Sequence, residues 1–368
     1  MAHTFPQSSL AFLNQTSKIS QLPTRLCIFV TMKFTTFRYN NREQAGIVAE
    51  DAVYNLNDID SSIPKTMLEM LQIWDEVTPK ALKIQNEILD GQHSDFRCPI
   101  LEVEFLAPVP NPTSCRDGYA FRQHVAAARR NRKVPMIEEF DHYPIFYFTN
   151  HNAVQGPGEI KCMPDHFQKL DFELEAAVVL GKKGRNVSAA DADQYIAGYT
   201  IMNDMSARTL QMEEMLLNLG PAKGKDFSTV IGPWMVTPDE LSPFVSKAKA
   251  GHTGNNFSLE MRCWVNGIQV SHGNMGDMDW TFAEIIERCS YGADILPGDV
   301  IGSGTVGTGC FLELNGTGLF NDPNYTPQWL KEGDVVEMEI TGLGRLKNTI
   351  IAEKSDFSIL KIKEKFKG

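Results

Sequence analysis

The stretch LDFELEAAVVLG, running from Leu170 to Gly181, decides how this chain folds. Side chains on a strand alternate between faces, so a strand here puts Asp171, Glu173 and Glu175 on one side and Phe172 and Leu174 on the other. The acidic parity continues through Ala177 and Val179, the opposite parity through Ala176, Val178 and Leu180. Both faces turn apolar, which marks a strand covered on both sides. An ionised carboxylate buried without a partner is strongly destabilising. Three things could neutralise these acids: protonation, an arginine or lysine partner, or a hard divalent cation, which takes oxygen ligands from several carboxylates at once.

Spacing alone does not single this pair out. Glu102/Glu104 and Glu337/Glu339 repeat it, but VVEMEI alternates with Val336, Met338 and Ile340, so those glutamates face water from a half-buried strand. Glu102 and Glu104 lie beside a Pro-rich segment and read the same way. The segment GSGTVG, residues 302–307, fits the dinucleotide fingerprint. That fingerprint needs a helix next, to meet the pyrophosphate, and the continuation GTGCFLEL reads as strand, so nucleotide binding is set aside. Other candidates are Asp204, with Arg208 and Gln211 at helical spacing, and Asp117, ahead of Tyr119 and His124.

With 368 residues, 42% hydrophobic and 22% charged, the chain can bury a large core in one or two domains. No apolar run reaches membrane-spanning length. A net charge of −11, with only ARRNRK as a basic cluster, argues against nucleic acid. Seven cysteines without a CxxC pair argue against a disulfide scaffold and a structural zinc site, and a reducing, cytoplasmic setting is expected. Residues 1–31 lack acids and faintly resemble an organelle transit peptide, but they hold only Lys18 and Arg25 as strong bases. They are expected to be a disordered extension.

From Met32, MKFTTFRYNNREQAGIVAEDAVYNL reads as two or three strands, followed by helices KTMLEMLQIW and ALKIQNEIL separated by Pro79. A small N-terminal domain over 32–105 is expected, joined by LEVEFLAPVPNPTS to a larger unit over 106–368. There strands predominate, with helices at HVAAARR, SAADADQYIAG and TFAEIIERCS. The last two open on the capping-box pairs Ser188/Asp191 and Thr281/Glu284.

Several segments together resemble the fumarylacetoacetate hydrolase family, from about Pro108 to Lys347. They are RDGYAFRQH (116–124), LDFELEAAVV (170–179), GYTIMNDMSARTLQ (198–211), KGKDFSTVIGPW (223–234), VNG (265–267), LPGDVIGSGTVGTG with FLEL (296–314) and GDVVEMEITGLGRLKN (333–348). The Asp-x-Tyr and Arg-Gln-His pattern resembles fumarylacetoacetase more than the shorter acylpyruvase-type members. The resemblance implies an α+β, β-rich fold, a mixed β-sandwich roll with a small N-terminal domain, commonly a homodimer. It also implies Mg2+ or Ca2+, with Mn2+ also acceptable, held by Asp117, Glu173, Glu175 and Asp204. Asp171 is expected to accept hydrogen bonds behind the ligands, and Arg208 to support them.

The implied reaction is hydrolytic cleavage of a carbon–carbon bond in a 1,3-diketo acid, with the diketone held on the metal and attacked by water. His124 is the expected base and Glu313 the carboxylate that orients it. Lys225 and Gln211 would stabilise the oxyanion. Tyr119 and Thr305 would hold substrate oxygens, and a basic residue after His124, with Arg129, Arg132 and Lys133 as candidates, the substrate carboxylate. Related members are hydratases, isomerases or decarboxylases of 2-oxo acids, which is the alternative; a metal-stabilised binding protein is the non-enzymatic one. The expected partner is a small diketo or 2-oxo acid, with no nucleic acid and no membrane.

Overall fold

The computed structural model describes residues 32–364, so the expected extension over 1–31 lies outside the described residues. Strands β1 (Lys33–Tyr39), β2 (Arg42–Ala49) and β3 (Ala52–Asn55) come first, as the alternating pattern predicts. Asn40 and Asn41, at φ 51° and 58°, make the first turn in the left-handed conformation that asparagine tolerates. Helix Met67–Gln72 precedes α1 (Trp74–Leu89), and the break between them falls at Ile73 rather than Pro79, which lies inside α1. The helix survives its proline because Trp74, Val77, Ala81, Ile84 and Ile88 bury one continuous face.

The remaining elements that place the site are β4 (Cys115–Gly118), α2 (Arg122–Asn131), β5 (Phe146–Thr149), β6 (Gly158–Cys162), β7 (Leu174–Leu180), β8 (Ile196–Asp204), α3 (Arg208–Met215) and β9 (Thr229–Val236). After these come β10 (Glu260–Val265), β11 (Ile268–Asn274), α4 (Phe282–Ser290), β12 (Val300–Gly302), α5 (Phe311–Asn321), β13 (Val335–Ile340) and β14 (Gly344–Ala352). Of the two helix starts read from capping boxes, Thr281/Glu284 forms its reciprocal bonds, whereas the Ser188 hydroxyl donates to the Asp191 carboxylate and caps no amide.

Two mixed sheets make the body of the described chain. Inside an edge strand at Arg97–Pro99, the larger has the order β3-β2-β1-β9-β8-β7-β12-β4-β5, and β12 and β4 run parallel within it. The smaller has the order β11-β10-β13-β14-β6, with β14 and β6 parallel. One core lies between the sheets, where Val178 and Ile201 join Met261, Cys263, Met338 and Leu346. A second covers the opposite face of the larger sheet, where Ala177, Val179 and Met202 join Phe34, Trp74 and Val77. Strand β7 is therefore buried on both faces, which is why its two parities are both apolar. The strands read as an N-terminal unit continue the larger sheet, because β1 pairs with β9 (Lys33 with Val236). No helix among the described residues is long and apolar enough to cross a membrane.

The stretch from Leu170 to Gly181 is not one strand. Leu170–Asp171 pairs with Ser206–Ala207, the chain breaks at Phe172 and Glu173, and β7 then pairs with β8. FLEL is also not a strand: α5 begins at Phe311, so GSGTVG is in fact followed by a helix. Its first amides, of Phe311 and Leu312, donate to Asp171 at 2.8 and 2.9 Å. A carboxylate of the chain itself thus takes the place a pyrophosphate would need.

Candidate metal centre and proton-transfer dyad

Neighbouring strands of the larger sheet bring the acids together. Asp117 lies opposite Gly302 across the parallel β4/β12 pair, Glu175 opposite Met202 across β7/β8, and Asp204 ends β8. Glu173 enters from the break before β7, where its amide donates to Asn203 Oδ1 at 3.1 Å. One oxygen from each of Asp117, Glu173, Glu175 and Asp204 lies within 4.8 Å of all the others, and all four residues are buried. Gly302 keeps the space between them: a Cβ there would stand 2.4 Å from Asp117 Oδ1 and 2.9 Å from Glu175 Oε2.

The arrangement fits a hard divalent cation. Glu175 Oε2 and Asp204 Oδ1 are buried without any hydrogen-bond partner, a costly state for carboxylate oxygens unless a cation meets them. Burial and the Asp204 charge push Asp117 up to about 7, and burial with Asp117 pushes Glu175 well above the usual range. Burial also raises Asp204, against the pull of Lys225. Glu173 goes the other way: burial opposes its ionisation, but Lys225 and Arg208 hold it down at about 2. Without a cation, three of the four acids are thus biased toward the protonated form.

Two cations of the chain flank the cluster. Lys225 Nζ donates to Asp204 Oδ2 at 2.7 Å and also to Glu173. Arg208 Nη2 donates to Glu173 Oε1 at 2.7 Å, Nε to Asp171 Oδ2 at 2.9 Å, and Nη1 to Gln211 Oε1 at 2.9 Å. Asp171 thus leaves the face it shares with Glu173 in an ideal strand, drawn off by Arg208 and the α5 amides. It serves behind the cluster and not in it.

His124, on α2, is buried, and its Nδ1 is 2.6 Å from Glu313 Oε2. Glu313 is fixed in turn by the Thr308 amide, which donates to Oε1 at 3.1 Å. The ring of Tyr119 meets His124 edge-on at 5.9 Å, and burial with the Glu173 charge pushes its phenol up to about 12. Thr305 Oγ1 donates to Glu175 Oε1 at 3.4 Å. Arg132, at the end of α2, is exposed, and its charge reaches Tyr119; Lys133, at φ 57°, is exposed too. A cavity of about 490 Å³ lined by Gln123, Arg130, Thr308 and Glu313 opens on the Glu313 side of the dyad.

Tyr147 and Cys310 join the site without having been expected there. Tyr147, on β5 opposite Asp117, donates its hydroxyl to Asp204. Its signal in the sequence is one hydroxylated ring in the otherwise apolar PIFYF. Cys310 Sγ, an imidazole nitrogen of His124 and a Glu173 oxygen lie within 4.8 Å of one another.

A two-sheet roll with four converging carboxylates and an adjacent His–Glu dyad defines a class, and the chain belongs to the fumarylacetoacetate hydrolase family: residues 113–351 match the model described as Fumarylacetoacetate (FAA) hydrolase C-terminal. Within it, the chain is 33% identical over 310 residues to the human protein named oxaloacetate tautomerase FAHD2A, mitochondrial, covering 81% of this chain and 84% of that one. It is 31% identical over 328 residues to the fumarylacetoacetate hydrolase domain-containing protein 2 homolog of Dictyostelium discoideum, covering 88% and 98%. The solved maleylpyruvate hydrolase from Sphingobium shares the fold, with a TM-score of 0.61 at 19% identity over 88% of this chain and all of that one. The family reading stands, while these two sequence relatives are not named as fumarylacetoacetase itself.

Proposed function

We propose that this chain is a divalent-metal enzyme that interconverts the enol and keto forms of a small 2-oxo dicarboxylic acid of the oxaloacetate class. The observation that carries this reading is the His124–Glu313 pair at 2.6 Å, within one shell of Glu173 and so of the carboxylate cluster. The name of the human relative, at 33% identity, supports tautomerisation over the hydrolysis expected first. Asp117, Glu173, Glu175 and Asp204 would hold Mg2+, Mn2+ or Ca2+, which when bound supplies Lewis-acid stabilisation of an enolate.

The chain's own residues supply the proton path. Glu313, fixed by the Thr308 amide, orients the His124 ring through Nδ1 and leaves Nε2 to take a proton from one position of the substrate and return it at another. Lys225 is held protonated by Asp204 and Glu173 and offers a positive charge beside the developing oxyanion. Tyr119, whose phenol keeps its proton, would donate to a substrate oxygen, as would Thr305 once its hydroxyl turns from Glu175, and Gln211, held by Arg208, would complete the donor set. Arg132 or Lys133 would meet the distal carboxylate.

The decisive assay follows loss of the enol absorbance of oxaloacetate in metal-reconstituted protein, with mass analysis of the products. Accelerated enol loss without carbon dioxide release or chain cleavage is expected; no acceleration with any of the three metals refutes the reading. A second reading, hydrolysis of a 1,3-diketo acid, is favoured by the same dyad, which could activate water. It is recognised by two cleavage products from an acylpyruvate or fumarylacetoacetate. Homodimerisation is proposed from the family and is checked by light scattering. On compartment, the mitochondrial name of the human relative weighs against the cytoplasmic expectation, and cell fractionation decides.

A further inference from the structure

We propose that His124, Glu173 and Cys310 form a second metal site, selective for a thiophilic divalent cation such as Zn2+, that overlaps the proton-transfer dyad and shuts it off when filled. The three donors lie within 4.8 Å of one another and are all buried. The set is one nitrogen, one oxygen and one sulfur, the mixture that borderline-soft zinc accepts in tetrahedral sites with a fourth position left for water. Mg2+ and Ca2+ prefer all-oxygen shells and have little affinity for the sulfur. Two sites sharing Glu173 are therefore sorted by donor chemistry.

The local bonding permits the site. With Nδ1 engaged by Glu313, the other imidazole nitrogen remains for a ligand. Each Glu173 oxygen already accepts one bond, Oε1 from Arg208 and Oε2 from Lys225, and each has a second lone pair for a cation. Cys310 immediately precedes α5 and is fully buried. Without a metal, the side chain carries its S–H proton, as a buried cysteine ordinarily does. Binding forms the metal–sulfur bond and releases that one proton to solvent. Filling the site also occupies the nitrogen that would accept the substrate proton. The inhibitory half of the proposal rests on His124 being the acid–base group; the binding half does not.

Cobalt(II) serves as the spectroscopic stand-in for zinc. Titrating Mg2+-saturated protein with Co2+ is expected to give a thiolate-to-cobalt charge-transfer band that saturates at one equivalent, is displaced by Zn2+, and is absent from Cys310→Ser. His124→Asn, a second variant that keeps the thiol, should need at least about tenfold more Co2+ for the same band, since even indirect partners of a metal are worth about 10–100-fold. No band in the wild type, or the same band in Cys310→Ser, overturns the site. Zn2+ should inhibit turnover in wild type, with half-inhibition raised at least about tenfold in Cys310→Ser. Equal sensitivity overturns the inhibitory half. Should the protein turn over none of the proposed substrates, the cobalt band still reads the site by itself.

Discussion

His124 and Glu313 make the sharpest demand on the chemistry. Glu313→Gln keeps the shape of the partner but removes the charge that would stabilise the imidazolium. Its kcat for enol loss should fall by about 10²–10⁴-fold, the usual worth of positioned acid–base catalysis, while calorimetry with Mg2+ gives an unchanged affinity. An unaltered kcat would remove the dyad from the mechanism. Arg208 makes a different demand, because it joins Asp171 and Glu173 in a buried network. Arg208→Met leaves two buried carboxylates short of a partner and should cost about 3–5 kcal/mol in urea denaturation. A loss below about 1 kcal/mol, the range of exposed pairs, would mean that water reaches those carboxylates.

Packing between short segments sets where Lys225 stands. The turn Pro164–Gln168 presses His166 against Phe227, with ring centroids 4.0 Å apart, two residues from Lys225. His166 Nδ1 accepts the Met163 amide, and burial holds the imidazole down at about 4, against an ordinary 6.5. The folded state therefore binds fewer protons than the unfolded chain between those values. This contribution to stability is complete above pH 6.5 and is lost as pH falls toward 4. Urea midpoints should drop between pH 7 and pH 5 in wild type and drop less in His166→Gln, which keeps an acceptor for Met163. Parallel drops in the two proteins would contradict a neutral buried His166.

The whole molecule gathers a cluster of like charges on the face of the larger sheet that Ala177 and Met202 share, so its stability should depend on the cation. Binding to the folded state alone adds about 2.7 kcal/mol when free metal is a hundredfold above its dissociation constant. Chelation should therefore lower Tm, and restoring Mg2+ should recover it. Protons compete for the same oxygens: with Asp117 pushed up to about 7, the Mg2+-induced rise in Tm should grow as pH climbs through 7. A Tm indifferent to chelation across that range would show that the cluster holds no ion.

Much of this was legible in the chain. Strand parity within LDFELEAAVVLG marked a doubly covered strand with acids at one end, and the ordered motifs pointed to Asp117, Glu173, Glu175, Asp204, His124 and Glu313 without any knowledge of strand pairing. Local capping gave the start of α4. Parity describes one uninterrupted strand, however, and says nothing of which segments adjoin. Only the long-range pairing of β12 with β4 and of β7 with β8 brings the acids within reach, and it places Tyr147 on Asp204. Only packing sends Asp171 to Arg208 and the α5 amides, and sets Cys310 beside His124. The side-chain contacts among these join residues 37 to more than 180 positions apart, where spacing along the chain carries no geometric information.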